Sequence, residues 1–164
     1  MALSLAPMRT ALLLVVIVGA LIGVLIPHGS TPPAVSAAPS TPSLPRETVI
    51  ERSERGHFAA VAEVNGMPVR FIVDTGADIV ALSEEDAMRA HVPFDRARYE
   101  VVGRGAAGPV RGARVTIDAI DLDGKRATGV AAVVLEGASM SLLGHSYLRE
   151  LRSVSIERDR MVLR

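Results

Sequence analysis

Apolar positions along the chain fall into two regimes. Residues 11–26 form an unbroken run of Ala, Leu, Val, Ile and Gly, whereas beyond residue 46 apolar residues come in short stretches separated by polar ones. Residues 57–64 alternate and carry enough β-branched side chains for a strand. Asn65-Gly66 is a strong hairpin signal, and residues 67–73 read as the returning strand. Asp74-Thr75-Gly76 ends that strand at a polar turn, and residues 79–82 form a short apolar strand. Ser83 with Asp86 three residues on resembles a capping box that starts a helix over 84–90. Residues 91–98 are irregular around Pro93. Strands at 99–102 and 110–121 are joined by residues 103–109, where three glycines in seven positions predict a flexible hairpin tip. Asp123-Gly124 turns the chain into a strand at 128–135. Leu142-Leu143-Gly144 leads into a helix near 145–151, and residues 152–157 and 161–163 close as a hairpin. Many short strands with two short helices predict a mainly β sandwich or barrel.

The first regime predicts a membrane segment. As a helix, the 16 residues of 11–26 span roughly 24 Å, somewhat short of the ~30 Å hydrocarbon core. Nothing polar interrupts the run. Arg9 precedes it, so residues 1–10 are expected to stay cytoplasmic while the rest crosses. Val35-Ser36-Ala37 and Ser36-Ala37-Ala38 resemble signal-peptide cleavage sites, but they lie far beyond the apolar run, so an uncleaved anchor is favoured. Residues 27–45 hold six of the ten prolines (27, 32, 33, 39, 42 and 45) among Ser, Thr and Ala. Such a segment reads as an extended spacer before a domain at 46–164.

Charge sharpens this division. The 164-residue chain carries 18 basic and 18 acidic side chains, and residues 1–45 contribute only Arg9. The balance gives no field for nucleic acid. Aromatic residues make up 3% with no Trp, which supplies no base-stacking platform. Cysteine is absent, which excludes a disulfide scaffold, thiolate catalysis and cysteine-ligated zinc. The four histidines show no metal spacing, so neither metal nor cofactor is expected.

Candidate chemistry lies in Phe71-Ile72-Val73-Asp74-Thr75-Gly76-Ala77-Asp78. A carboxylate follows three core-type residues, where a buried strand ends. Thr75 could lock the turn through its hydroxyl, and Gly76 permits close backbone approach. The tripeptide alone makes ordinary turns. In sequence with a second apolar strand, the Gly-rich hairpin, Leu142-Leu143-Gly144 and a helix, it resembles the retropepsin-like aspartic protease family over residues 58–163. The likeness is to the bacterial membrane-anchored branch.

The resemblance implies a closed β-barrel with one or two short helices behind an N-terminal transmembrane helix. It implies Asp74 as the catalytic residue, with Thr75, Gly76 and Ala77 in the active-site loop and Leu142, Leu143 and Gly144 packed beneath it. Residues 101–110 would be the flap over substrate, with Gly103, Arg104, Gly105 and Ala106 as contacts. Asp78 would bind substrate backbone. Retroviral members place an Arg after the second motif's glycine to pair with that Asp; this chain has His145.

Paired carboxylates that share one proton can activate water and polarise a carbonyl. The chain has one Asp-Thr-Gly: Asp118, Asp121, Asp123 and Asp159 lack the following residues. An aspartic endopeptidase built on this sequence therefore needs a homodimer, each chain giving Asp74. The expected partners are a second copy, a peptide or protein substrate, and the bacterial inner membrane, with the domain on the periplasmic side. The alternative is a non-catalytic dimerising module that holds peptides.

Overall fold

The computed structural model describes residues 44–105 and 108–164. The expectations for the cytoplasmic N-terminus, the anchor, most of the spacer and Ala106 lie outside these residues. No helix among the described residues is long and apolar enough to cross a membrane.

Among the described residues the fold has ten strands and two short helices. Strand β1 is Thr48–Glu51, β2 Ala59–Val64, β3 Met67–Val73 and β4 Val80–Ser83. Helix α1, Glu84–Arg89, follows directly, and a 3-10 turn covers Arg96–Arg98. Strands β5 (Glu100–Gly105), β6 (Gly108–Leu122), β7 (Lys125–Leu135) and β8 (Ser141–Leu143) come next. Helix α2 is His145–Leu148, and β9 (Val154–Glu157) and β10 (Arg160–Leu163) end the chain.

The hairpin turns sit where their residue types allow positive φ. Asn65 and Gly66 take φ 51° and 83°, and Asp123 and Gly124 take 54° and 81°, the twist that matches two antiparallel strands. The Ser83 hydroxyl caps α1 by accepting from the Asp86 N–H at 3.1 Å, as the sequence predicts.

The strand order β2-β3-β8-β4-β7-β6-β5 closes on itself because β2 also pairs with β6 through Glu63–Asp121 and Val64–Ile120. The ring is therefore the closed barrel of the resemblance, with β5 hanging on its outside as an edge. Closure pairs strand edges that would otherwise stay open. Inward residues fill it: Phe71, Leu82, Ile117, Ile120, Val134 and Leu143 are all fully buried.

A second sheet, β1-β10-β9, brings the two ends of the domain together. The sequence reading has no strand at Thr48–Glu51 and treats Leu142-Leu143 only as a lead into a helix; both are strands here. Each is short and is completed by partners far along the chain, β10 for β1 and β3 with β4 for β8. Helix α2 is shorter than 145–151, and β5 and β6 run further into the glycine-rich segment than predicted, to Gly105 and from Gly108.

Candidate active site

Strand β8 lies between β3 and β4, parallel to the first and antiparallel to the second. The chain must therefore arch over the exit of β8 to pass from Val73 to Val80, and residues 74–79 are that arch. Its footings are backbone hydrogen bonds. The Asp74 N–H donates to the Leu143 carbonyl at 3.1 Å, the Ala77 N–H to the Asp74 carbonyl at 3.3 Å, and the His145 N–H to the Ala77 carbonyl at 2.8 Å.

Glycine is required where α2 leaves beneath the arch. A Cβ on Gly144 would fall against the Ile79 carbonyl oxygen and 2.8 Å from that of Ala77. Both obstacles are backbone and cannot swing aside. Buried serines tie the second leg: Ser146 Oγ accepts from the Val80 N–H at 2.9 Å, and Ser141 Oγ from the Ser83 N–H at 3.1 Å. Ser141 in turn donates to Asp86 Oδ2 at 2.6 Å, and Arg89 pairs with the other oxygen of Asp86.

Within this frame Asp74 is half-buried at the barrel end of β3. Its Oδ1 accepts from the Gly76 N–H at 2.9 Å, so the carboxylate is oriented by its own turn. Among the described residues no donor meets Oδ2. Gly76 approaches closely, since a Cβ there would lie 3.3 Å from Asp74 Oδ1.

Thr75 is exposed, and its hydroxyl makes no hydrogen bond among the described residues. The expected Thr75 lock is therefore not formed: the Asp74 carboxylate and the Gly144 crossing hold the turn instead. Ala77 is half-buried and Asp78 exposed. No hydrogen bond or ion pair joins Asp78 to His145, whose contact with the loop is through its backbone N–H to Ala77.

In the glycine-rich hairpin, Gly103, Arg104 and Gly105 lie on β5, exposed, paired with Val110, Pro109 and Gly108 on β6. The register slips between Val101 and Gly103. No hydrogen bond among the described residues links hairpin to loop. The base of the hairpin is fastened firmly: the Tyr99 hydroxyl donates to Glu84 Oε1 at 2.6 Å and Arg96 Nε donates to Glu84 Oε2 at 3.0 Å. The Arg96 hydrogen bond, then that of Tyr99, holds the Glu84 carboxyl below the usual value. Burial, then the Glu84 contact, pushes the Tyr99 phenol up to about 12.

An open groove of about 840 Å³ is lined by residues of β2, β3 and β8 and by parts of 53–57 and 135–140. Ala59, Ile72 and Leu142 are neighbours across β2, β3 and β8, and all three are half-buried on the outer face that lines it. Strand alternation places Asp74 on the same side as Ile72. Met140 and Leu135 extend the apolar wall, and Arg55 and Arg70 edge it. The arrangement presents one carboxylate beside an apolar trough.

The sequence reading missed Ser141 and Ser146, and it gave Asp86 a capping role only, not the bond from Ser141. The only signal for the serines is their place on each side of Leu142-Leu143-Gly144, and serine by itself does not distinguish a buried hydroxyl from an exposed one.

Residues 60–150 match the profile of the family described as "gag-polyprotein putative aspartyl protease". A crystal structure of a retropepsin-like aspartic protease from Rickettsia conorii superposes with a TM-score of 0.60 at 31% identity, over 72% of this chain and 89% of that one. An uncharacterized Rickettsia prowazekii protein is 31% identical over 117 residues, 71% of this chain and 51% of its own length. An uncharacterized protein of the cobV 5' region of a Sinorhizobium species is 32% identical over 124 residues, 73% of this chain and 52% of its own. The chain thus spans about half the length of the curated relatives it matches.

Proposed function

The chain belongs to the retropepsin-like aspartic protease family, and on that premise we propose that it is an endopeptidase whose site is completed by two copies, each contributing Asp74. The observation that carries this reading is Asp74 itself: a carboxylate with one oxygen fixed by Gly76 and the other unengaged among the described residues, two positions beyond Ile72, which lines an apolar groove. One carboxylate cannot both activate water and donate a proton in the same step. Two, brought to about 3 Å, cannot both ionise and so share a proton.

In the proposed reaction the ionised Asp74 takes a proton from a water as its oxygen attacks the scissile carbonyl carbon. The protonated Asp74 of the partner donates to the carbonyl oxygen, giving a neutral tetrahedral diol. Asp74 then passes the proton it took from water to the amide nitrogen while the partner's Asp74 takes one back from a diol hydroxyl. The C–N bond breaks to leave a carboxylic acid and an amine, and the dyad again holds one shared proton. The exposed Thr75-Gly76 turn is the surface on which a second copy meets the first. Half-buried Ile72 and Leu142, with exposed Met140 beside them, support an apolar substrate side chain next to the cleaved bond.

The apolar run at 11–26 serves in this reading as an uncleaved anchor that holds the barrel outside the bacterial inner membrane. The spacer of 19 residues at 27–45 reaches roughly 60 Å at ~3.1 Å per residue, enough for two tethered barrels to meet.

The test is Asp74→Asn, which preserves size and the acceptor for Gly76 but not the titration. Cleavage of a peptide library is expected to fall at least ~10³-fold with the circular dichroism unchanged. Full turnover by a folded Asp74→Asn protein would remove this reading, and a wild-type protein that binds but never cleaves peptides would favour a holding module.

A further inference from the structure

Among the described residues, four of the clefts on the barrel differ sharply in charge. One sets Arg98 and Arg114 against Asp95 and Glu100, and a second sets Arg160 and Arg164 against Glu47 and Glu157. The groove beside Asp74 sets Arg55 and Arg70 against Glu54. The remaining cleft, of about 490 Å³, is lined by Arg46, Lys125, Arg126, Arg152 and Arg164. Its only carboxylate side chains are Glu47 and Glu150. This concentration of positive charge occurs in a chain whose net charge is zero.

Both carboxylates are already engaged. Arg164 Nε donates to Glu47 at 2.7 Å, and Arg149, outside the cleft, lies 3.6 Å from Glu150. Arg46 faces Asp123 at 3.8 Å. The cations left over are Arg126 and Arg152, whose guanidinium groups meet no acceptor among the described residues. Lys125 is different again. It is only 8% exposed, and its ammonium donates to Thr48 Oγ1 at 2.7 Å and to the Arg46 carbonyl. An ammonium has three N–H donors, so one remains on a group held in place by burial. Desolvation lowers the Lys125 pKa, against the pull of Asp123 and Asp121.

Two unpaired guanidinium forks and a spare ammonium donor suit an anion with more acceptor oxygens than a carboxylate, which one fork alone satisfies. We propose that this cleft, formed by the β6–β7 turn, the end of α2 and the two ends of the domain, is a binding site for a phosphate group. Residues 1–43 contain no Asp or Glu, so the chain's own upstream segment supplies no carboxylate side chain for it. Pro45 and Arg46 form part of the rim, so the cleft lies where the spacer joins the barrel. A phosphate there comes either from an anionic phospholipid headgroup or from a soluble phosphate. None of the residues lining this cleft belongs to the groove or the loop that carries Asp74, so the site stands independently of the proposed peptidase reaction.

The experiment uses the full chain with its arginine Nε–H signals followed by NMR. In one arm the protein in neutral detergent is titrated with inorganic phosphate at constant ionic strength. In the other it is placed in discs of phosphatidylcholine with and without phosphatidylglycerol. Saturable shifts of Arg126 and Arg152 are expected in at least one arm. Response to inorganic phosphate assigns a soluble ligand; response to phosphatidylglycerol alone assigns the headgroup. The Arg126→Gln/Arg152→Gln protein, checked for fold by circular dichroism, is expected to bind at least ~10-fold more weakly, as removing charge-assisted hydrogen bonds predicts. Three results would each overturn the proposal: no saturable shift in either arm, succinate binding as tightly as phosphate, or an undiminished response in the double variant.

Discussion

The loop at 74–78 and the hairpin at 100–112 are both glycine-bearing connections, yet they are built in opposite ways. The loop arches over β8 and is footed on Leu143, Ala77 and His145 by backbone hydrogen bonds. The hairpin begins on β5, an edge strand with β6 as its sole neighbour, whose register slips between Val101 and Gly103. Beneath the loop, Gly144 is dictated by backbone on either side, whereas a Cβ on Gly103 meets nothing within 4 Å. Gly144 thus marks a crossing, whereas Gly103 sits on an unconfined stretch of strand; at the hairpin's base Gly112 is confined again, since a Cβ there would fall against the Val134 carbonyl oxygen. On the proposed reading the difference is functional, because a carboxylate that must meet its twin needs a fixed position and a cover over substrate needs to move.

Substitutions at these positions test that contrast. Gly144→Ala is expected to cause the largest loss of stability, about 3 kcal/mol by urea unfolding, because its Cβ meets two carbonyl oxygens that cannot move away. A Gly144→Ala protein as stable as the wild type would show that the arch is not rigid. Ser146→Ala leaves the buried Val80 N–H without its acceptor and is expected to cost ~1–2 kcal/mol; no loss would mean that this footing is idle.

The base of the hairpin gives a pH signature. Because the Tyr99 phenol is raised in the folded protein to about 12 from its ordinary value of 10.0, its contribution to stability is complete below pH 10 and is lost as the pH rises from there towards 12. Thermal midpoints should therefore fall over that range, and less steeply in Tyr99→Phe. Equal slopes would place the alkaline loss elsewhere. The smallest effect belongs to Gly103→Ala, within about 0.5 kcal/mol of wild type by the same urea measurement.

Local signals were legible in the sequence and distant pairings were not. Asn65-Gly66 and Asp123-Gly124 announce their turns because positive φ selects those residue types. Ser83 announces α1 through its cap. Asp74 stands out in the sequence only through its context, an Asp-Thr-Gly after an apolar strand with a Gly-rich hairpin and Leu142-Leu143-Gly144 further on. Strand β8 is three residues long, below any period that alternation can reveal, and it is a strand only because β3 and β4 flank it. Strand β1 likewise depends on β10, more than a hundred residues later. The Thr75 expectation failed because a nearby hydroxyl and a carboxylate compete for the same turn, and in this turn the carboxylate accepts the Gly76 N–H. His145 lies near the loop, but through its main chain, which no side-chain pattern reports.

The central claim is that one working site needs Asp74 from two chains, and mixing measures it directly. Full-length wild-type and Asp74→Asn chains are combined at constant total concentration, exchanged to equilibrium, and assayed for peptide cleavage as the wild-type fraction is lowered. A shared site predicts activity that falls as the square of that fraction, since only pairs with two intact carboxylates cleave. Activity that falls in simple proportion to the wild-type fraction would show that each chain cleaves with its own Asp74 alone, and would contradict the account.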